Sequence, residues 1–474
     1  MRNIRSSFIL LVFILSFSCT QKEDVERKES NFTRDLNEIQ EEGVLRALTT
    51  YSGTSYFLYR GKTMGFEYEL LKRFADSLGV DLEVIVAKDI DSLFDDLMEG
   101  KADIIAHSMT ITSERKEEVD FTDYLYLTKQ VLVQKKPDNW REMKWSELNR
   151  ALIHDPIELI GDTVSVRKNS SYHERIINLS NEMGGEIFID TISGELSTDE
   201  IIKKVVEGEI KYTIADDNIA AINASFYPVL DIEVPISFSQ RVGWAVRPGS
   251  EALKKAANKW LDKMKDHVDY YVIFNKYFKN ERDFRKRVRS DFFSLNNNKI
   301  SQYDEIIKKH AEKIGWDWRL LASIIYQESQ FNPKASSWTD AKGLMQLMPL
   351  TAKEMGVENR LNPDDNIRGG TQYLKKLWNR FEEIEDESQR MKFTLAAYNC
   401  GLQHVFDAQK LADLKSLDRH VWDGNVSEMI LALSYPKNYN NPAVDFGYVR
   451  GIEPYTYVKQ IFERFYHYKQ FIDI

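Results

Sequence analysis

Residues 318–333 read Trp-Arg-Leu-Leu-Ala-Ser-Ile-Ile-Tyr-Gln-Glu-Ser-Gln-Phe-Asn-Pro. The segment repeats its apolar residues at helical spacing: Leu320, Leu321, Ile324 and Ile325. This spacing predicts a helix that packs one face into a core. Pro333 and the residue before it oppose further helix, so the helix should end just beyond Glu328.

The carboxyl group of Glu328 stands at the end of this predicted helix. A carboxyl at such a junction can lose part of its water shell, which raises its pKa toward the value that a general acid needs near neutral pH. An isolated glutamate at a helix end is, however, more often an ordinary solvent-facing residue. The segment by itself leaves both interpretations open.

Helical patterns continue from this segment to the end of the chain, with few strand signals. Helices are predicted at residues 302–314, 318–329, 350–355, 367–381, 391–398 and 455–465. We therefore expect residues 300–474 to form a separate, mostly helical domain.

Four short motifs in this half carry a family resemblance. Residues 328–335 read ESQFNPKA, residues 343–349 read GLMQLMP, residues 397–401 read AYNCG and residues 447–458 read GYVRGIEPYTYV. In this order they resemble the lytic transglycosylases of the lysozyme-like superfamily. The resemblance implies a lysozyme-like fold and cleavage of peptidoglycan glycan strands, with no cofactor and no metal ion.

In that family the glutamate that matches Glu328 protonates the oxygen between N-acetylmuramic acid and N-acetylglucosamine, then accepts the proton of the muramic 6-hydroxyl. The product carries a 1,6-anhydro ring, and the substrate's own N-acetyl group acts as internal nucleophile. A hydrolase would instead use water and commonly a second carboxylate. Asp340 and Glu453 are the candidates for that partner, although Asp340 stands where relatives usually have glycine.

The same resemblance implies a set of sugar-binding residues: Ser337, Gln346, Met348, Tyr398, Asn399, Glu453 and Tyr457. Met348 is equally compatible with core filling, and for Met345 core filling is the favoured interpretation. Cys400 occupies the variable position of its motif, and no base accompanies it, so a small buried residue is favoured over a nucleophile.

Residues 43–265 show a different pattern, in which short apolar runs alternate with amphipathic stretches. The strand-like runs at 44–48, 82–86, 103–106 and 130–133 alternate with helix-like segments, which predicts an α/β domain. A second passage starts near residue 161, and the first pattern returns at 242–246. This path predicts two lobes with a cleft between them.

Residues 110–115 read TITSER and residues 119–122 read VDFT, which resembles periplasmic solute-binding proteins for amino acids. The resemblance implies that Arg115 clamps a ligand carboxylate, for which a planar guanidinium is suited, with Thr110 nearby. It also implies that Asp216 holds the ligand's amino group, with Asp217 as the alternative in register. The alternative for Arg115 is a local pair with Glu117 or Glu118. We expect a small amino acid or a cell-wall peptide as ligand.

The N-terminus has the features of an export signal. Arg2 and Arg5 precede an apolar run at 8–17 that is too short to span a bilayer. Cys19 follows in a context that resembles the lipobox of bacterial lipoproteins, and an ordinary signal peptide with an incidental cysteine is the alternative. A lipid-anchored protein at the periplasmic face of the outer membrane is therefore expected.

Length and charge limit the number of domains and the classes of partner that the chain can have. A chain of 474 residues with 43% hydrophobic content exceeds the roughly 250–300 residues that one core organises, so two domains are expected. A net charge of -10 gives no broad basic surface for nucleic acid. The predicted divisions are a signal peptide at 1–18, a lipidated tether at 19–40, a solute-binding-like domain at 41–270, a basic linker at 271–299 and the helical domain at 300–474.

Two functions fit this organisation. The first is a glycan-cleaving enzyme whose N-terminal half senses a ligand. The second is a lipoprotein receptor whose lysozyme-like half only binds peptidoglycan, and the presence of Glu328 together with Gln346, Tyr398 and Asn399 argues against it.

Overall fold

The computed structural model describes residues 32–87, 89–90 and 92–473. The predicted signal peptide and the lipidation site at Cys19 lie outside these residues. Within the described residues no helix combines the length and the apolar character that a membrane span requires.

The first domain alternates strands and helices along the chain. Its strands are β1 (Val44–Thr49), β2 (Phe57–Tyr59), β3 (Lys62–Met64), β4 (Asp81–Val86), β5 (Ile104–Thr110), β6 (Asp120–Phe121), β7 (Tyr126–Thr128), β8 (Gln130–Lys135), β9 (Thr163–Arg167), β10 (Phe188–Ile192), β11 (Tyr212–Asp216), β12 (Leu230–Asp231) and β13 (Gln240–Val246). Its helices are α1 (Leu36–Glu42), α2 (Phe66–Leu78), α3 (Leu93–Met98), α4 (Arg115–Glu118), α5 (Trp145–Arg150), α6 (Ser171–Met183), α7 (Thr198–Glu207), α8 (Asp217–Phe226), α9 (Glu251–Lys265), α10 (Val268–Phe278) and α11 (Glu281–Val288).

These elements form two lobes. The first lobe has a sheet in the order β4-β1-β5-β13-β6, with β7 also paired to β13. The second lobe contains the antiparallel sheet β11-β8-β12 and the parallel pair β9 and β10. The chain leaves the first lobe after β7 and returns in β13, as the repeated sequence pattern predicted. The expected two-lobed α/β fold is therefore confirmed.

The structure corrects two predicted boundaries of this domain. Residues 271–299 are not a linker, because α10 packs into the core of the first domain through Tyr277 and Phe278, and α11 packs against that core through Val288. The cluster of basic residues suggested a linker, although the same helices also carry apolar residues that pack into the core. Residues 34–40, assigned to the tether, are also part of the domain: Ile39 is buried, and Arg34 Nε donates to Asp103 at 2.8 Å.

The second domain consists of helices joined by loops, with isolated bridges between some loop residues. Its helices are α12 (Asp304–Glu312), α13 (Trp318–Ser329), α14 (Pro349–Glu354), α15 (Pro363–Trp378), α16 (Glu387–Cys400), α17 (Leu402–Leu414), α18 (Ser427–Ala432), α19 (Pro436–Tyr439) and α20 (Ile452–Phe471). The predicted apolar face of α13 is buried in the core, where it packs against α12 and α20. The helical fold of this domain is confirmed, whereas α17, α18 and α19 were not predicted.

A hairpin of the first domain enters the core of the second. This hairpin is formed by β2 and β3, and its Leu58 is fully buried among residues of the helical domain. Gly61, at the hairpin turn, has a φ of +75°, and a Cβ there would lie 2.6 Å from the ring of Phe331. The hydroxyl of Tyr468 donates to Gly61 O at 2.7 Å. Only glycine allows this close approach to the segment that follows Glu328.

Helix α20 makes the reciprocal contacts with the first domain. His467 Nδ1 lies 2.5 Å from the hydroxyl of Tyr56, and Gln470 Nε2 donates to Val84 O at 2.5 Å. An ion pair of 3.0 Å joins Lys72 to Glu463. The two domains therefore share a packed interface and are not connected by the chain alone.

We expect Leu58→Ala to destabilise the helical domain although the residue belongs to the other domain. Removal of a fully buried leucine side chain costs about 2 to 5 kcal/mol of unfolding free energy. Differential scanning calorimetry should show a lower Tm for the transition of the helical domain. Leu127→Ala, at a leucine that is 54% exposed, is the matched control. An unchanged transition in Leu58→Ala would contradict the interlocked arrangement.

Candidate active site

Glu328 lies in the last turn of α13, just before the chain changes direction. The helix is capped by Gln330 with a φ of 51°, and Phe331 follows with a φ of 60°. Two consecutive left-handed residues are uncommon outside glycine, so tertiary contacts must hold them. Phe331 supplies such a contact, since its ring packs against Tyr326 with centroids 5.9 Å apart.

The carboxyl group of Glu328 is held by α20. Its Oε1 accepts a hydrogen bond from the hydroxyl of buried Tyr457 at 2.5 Å. Burial raises the pKa of Glu328 to about 7, and the bond from Tyr457 acts in the opposite direction. The carboxyl can therefore exist in both protonation states near neutral pH, as a group that donates and then accepts a proton requires.

A loop at residues 335–348 is bonded to the residue after Glu328 and to α16. Ser329 Oγ lies 2.8 Å from Leu344 O, and the hydroxyl of Tyr398 donates to Met345 O at 2.7 Å. Burial raises the pKa of Tyr398, and the nearby charge of Glu328 acts in the same direction. Helix ends from α13, α16 and α20 thus converge on one carboxyl.

Two residues outside the predicted set shape this loop. Gly343 has a φ of +82°, and a Cβ there would lie 2.1 Å from Arg360 O. Asn366, fully buried on α15, accepts a hydrogen bond from Met345 N at 2.8 Å and donates to Lys342 O at 3.0 Å. Asn366 was missed because a polar residue within a helix gives no local signal of a long-range contact.

The structure divides the predicted sugar-binding residues into two groups. Tyr457 and Tyr398 lie around the carboxyl, whereas Gln346 and Ser337 bond within the loop: Gln346 Nε2 donates to Gly343 O at 2.8 Å, and Ser337 Oγ accepts from Ala341 N at 3.0 Å. Met348 is 42% exposed, so it is not core filling.

The remaining predicted positions lie at exposed helix ends. Asn399 is exposed beside Tyr398 at the end of α16. Glu453 is exposed at the start of α20 and pairs with Arg450 at 2.8 Å. Neither makes a hydrogen bond to Glu328. Met345 is fully buried and fills the core, as the sequence favoured.

Neither candidate for a second carboxylate is arranged for catalysis beside Glu328. Asp340 forms ion pairs of 2.9 Å with Lys342 and with Arg360, and these bonds lower its pKa. Among the described residues, the pKa of Glu328 is raised by burial and lowered by the bond from Tyr457, with no contribution from a second carboxylate. Burial also raises the pKa of Cys400 to about 12, which disfavours a thiolate nucleophile. The site thus offers one carboxyl in two protonation states.

The predicted ligand residues of the first domain meet between its lobes. Arg115 is buried, and its Nη1 donates to Thr110 O at 3.0 Å. Asp216 is 1% exposed, burial raises its pKa to about 7, and its Oδ1 has no hydrogen-bond partner among the described residues. The nearby charge of Arg115 acts in the opposite direction on this pKa.

The structure does not favour the alternative assignments for Asp216 and Arg115. Asp217 accepts a hydrogen bond from the hydroxyl of Thr128 at 2.9 Å, so Asp216 is the buried carboxyl of the pair. In the part of the chain that the structure describes, Arg115 forms no ion pair with Glu117 or Glu118.

Two cavities lie between the lobes. The larger, of about 800 Å³, is lined by residues that include Arg115, Ser171 and Glu174. The smaller, of about 30 Å³, is lined by residues that include His107, Arg167 and Asp199. A hydrogen bond of 2.9 Å from Gly53 N to Asp199 Oδ2 joins the lobes directly. The sequence analysis missed His107 and Asp199, which stand outside the family motif.

Two family models match the chain. The model of bacterial extracellular solute-binding proteins, family 3, matches residues 45–280, and the model of the transglycosylase SLT domain matches residues 305–420. An ancestral arginine-binding protein bound to arginine covers 50% of this chain and 98% of its own at 28% identity, with a TM-score of 0.42.

Curated relatives match along nearly the whole chain. Membrane-bound lytic murein transglycosylase F of Desulfosudis oleivorans is 36% identical over 428 residues, which is 90% of this chain and 90% of the relative. The protein of the same name from Pseudomonas putida is 33% identical over 96% of this chain and 88% of the relative. The one from Photobacterium profundum is 31% identical over 97% of this chain and 84% of the relative.

A solute-binding domain joined to a helical transglycosylase domain defines a modular enzyme that acts on peptidoglycan. The chain belongs to the membrane-bound lytic murein transglycosylase F family. The enzyme interpretation, rather than the receptor interpretation, is thereby confirmed.

We expect Tyr457→Phe to move the pH profile of cleavage. The variant loses the hydrogen bond that lowers the pKa of Glu328, so this pKa should rise above about 7. Because the protonated acid starts the reaction, the alkaline limb of kcat/KM against pH should shift to higher pH. Tyr455→Phe, on the same helix, is the control. An alkaline limb that does not move in Tyr457→Phe would show that this bond does not set the pKa.

Proposed function

We propose that Glu328 alone serves as acid and base in the cleavage of peptidoglycan by this enzyme. The observation that carries the proposal is the hydrogen bond from Tyr457 to a buried carboxyl whose pKa is raised to about 7. The absence of a second carboxylate among the contacts of Glu328 in the described residues favours a non-hydrolytic route.

The reaction proceeds in two proton transfers. Protonated Glu328 first donates its proton to the oxygen that bridges N-acetylmuramic acid and N-acetylglucosamine, and the C–O bond to the leaving sugar breaks with assistance from the N-acetyl oxygen. The Glu328 carboxylate then removes the proton of the muramic 6-hydroxyl, whose oxygen bonds to C1 and displaces the N-acetyl oxygen from it. Glu328 ends protonated, no water is consumed, and the product is a 1,6-anhydro sugar.

The other groups of the site act by positioning. Tyr457 orients the carboxyl, and Gln346 and Ser337 keep the loop beneath it in shape through their bonds within that loop. Exposed Met348 and Asn399, half-buried Tyr398 and exposed Glu453 supply the apolar, amide, phenolic and carboxylate contacts for the sugars. The hydroxyl of Tyr398 already donates to Met345 O, and Glu453 already pairs with Arg450, so Tyr398 offers a sugar mainly its ring and Glu453 only the rest of its carboxylate.

We expect mass spectrometry of digested peptidoglycan to distinguish the possible reactions. The wild-type protein should release 1,6-anhydro muropeptides, and Glu328→Gln should lose nearly all turnover because an amide cannot donate the first proton. Glu383→Gln, at an exposed glutamate of the same domain, should match the wild type. Reducing-end products would indicate a hydrolase, and activity retained in Glu328→Gln would refute the role of this residue.

For the first domain we infer a ligand with a carboxylate and an amino group. Arg115 supports this assignment because its guanidinium lines the larger cavity, and Asp216 supports it because one buried carboxylate oxygen lacks a partner. A cavity of about 800 Å³ admits a short cell-wall peptide as well as a single amino acid. Thr110, whose carbonyl holds Arg115, fixes the position of the guanidinium.

We expect isothermal titration calorimetry with a panel of free amino acids and soluble muropeptides to identify a ligand. Arg115→Ala should weaken binding by at least about 100-fold, since a buried bidentate contact to a carboxylate is lost. Arg150→Ala, at an exposed arginine of the same domain, should bind as the wild type does. Equal affinity of Arg115→Ala and the wild type would refute the clamp.

The contacts between domains support control of cleavage by this ligand. The smaller interlobe cavity is lined by Thr50, Tyr51, Ser52, Thr54 and Ser55. The hairpin of β2 and β3 that follows them contacts Phe331, three residues after Glu328. We further propose that Cys19 carries the lipid that places the enzyme at the periplasmic face of the outer membrane. Its relatives are named membrane-bound, which supports attachment to a membrane.

A further inference from the structure

Trp338 presents an unusually exposed indole ring within the loop at residues 335–348. The residue is 98% exposed, although tryptophan is among the residues that proteins bury most extensively on average. Its side chain therefore contributes little to the packing of the folded chain. An exposed indole combines a large apolar face with a polar N–H, and in the same loop as Ser337 and Gln346 it suits a surface that binds another molecule.

The turn that carries Trp338 is rigid despite its exposure. Ser337 N donates to Ala341 O at 2.9 Å, Asp340 N donates to Ser337 O at 3.2 Å, and the hydroxyl of Ser337 accepts from Ala341 N. Three hydrogen bonds thus close a turn of five residues, with Trp338 at its tip. The ring is held out into solvent by the backbone rather than by side-chain packing.

Asp340 secures the same turn from the other side. Its φ of 62° is a left-handed conformation that glycine would adopt at less cost. The carboxylate forms ion pairs with Lys342 and Arg360, and Arg360 also donates to Leu347 O at 3.2 Å. The ion pairs offset the backbone strain. Asp340, which the sequence suggested as a second catalytic carboxylate, thus anchors the turn to its neighbours.

The turn belongs to the loop at residues 335–348, which Ser329 joins to the end of α13 through Leu344 O. Lys342 forms isolated bridges with both Ser336 and Leu347, so the two arms of the loop lie side by side. The next residue after Leu347 is Met348, which is 42% exposed, and Leu350 nearby in sequence is 83% exposed. A glycan strand that passes Glu328 is longer than the two sugars at the bond to be broken, so its outer sugars need a further surface.

We infer that Trp338 is a stacking platform for an outer sugar ring of the glycan strand and makes the enzyme prefer long strands. Pyranose rings of N-acetylated sugars have faces of C–H groups, which suit the electron-rich face of an indole. Hydroxyl and amide groups at the ring edges stay hydrated, as the exposed setting of Trp338 requires. The inference depends on the glycan-cleaving role proposed for Glu328.

Kinetics on strands of two lengths test this inference. For strands of about eight sugars, Trp338→Ala should raise KM about tenfold and leave kcat nearly unchanged, because the lost contact lies away from the reacting atoms. Because the inference assigns Trp338 to an outer sugar, KM for short fragments of about four sugars should not change. Trp338→Tyr should restore most of the affinity, since a phenol ring also stacks.

Two controls separate binding from folding. Trp145→Ala, at a tryptophan that is 78% exposed on the first domain, should leave both KM values unchanged. The Tm of Trp338→Ala should equal that of the wild type because the side chain packs against little. An equal KM for long strands in Trp338→Ala and wild type would overturn the inference, as would a fall in kcat on short fragments.

Binding to an inactive protein keeps this inference distinct from the catalytic proposal. In a Glu328→Gln background, fluorescence titration with purified long strands should show affinity that falls about tenfold on Trp338→Ala. If the wild type released no anhydro products but this difference persisted, only the catalytic proposal would fail. If the wild type released them and the difference were absent, only the platform would fail.

Discussion

The packing of α20 against α13 places a tyrosine hydroxyl on the carboxyl of Glu328 in an environment with little water. Tyr457 reaches Glu328 from a helix whose other face holds the first domain through His467 and Gln470. Arg464, on the same helix, donates to Ser323 O and lies over the ring of Tyr326. The protonation of one carboxyl therefore depends on a helix that also carries the contact between domains.

The loop beneath Glu328 has little regular secondary structure, yet it is closely determined. Gly343 has no room for a Cβ, and Asn366 satisfies backbone groups on both sides of it. Gln346 adopts a left-handed conformation with a φ of 47° and bonds within the loop. Such strain persists only where the surroundings hold it, and it is commonly found at functional sites. The loop is thus ordered before any substrate binds.

Much of this organisation could be predicted from local patterns. The spacing of apolar residues gave the bounds of α13, and ordered motifs located Glu328, Tyr398 and Tyr457. Long-range contacts gave no such signal, which explains why Asn366 and the insertion of Leu58 were missed. The predicted linker was wrong because charge was used as a boundary signal. Arg287, one of those basic residues, is instead buried over the rings of Phe57 and Tyr277.

The ionisation of Glu328 in the resting enzyme is the central claim, and it can be measured directly. An infrared difference spectrum between the wild type and Glu328→Gln isolates the C=O stretch of this one protonated carboxyl. As the pH is raised from about 5 to about 9, the band should disappear with a midpoint near 7. A midpoint near the ordinary value of 4.5 would contradict the account, because Glu328 would then be ionised where it must donate its proton.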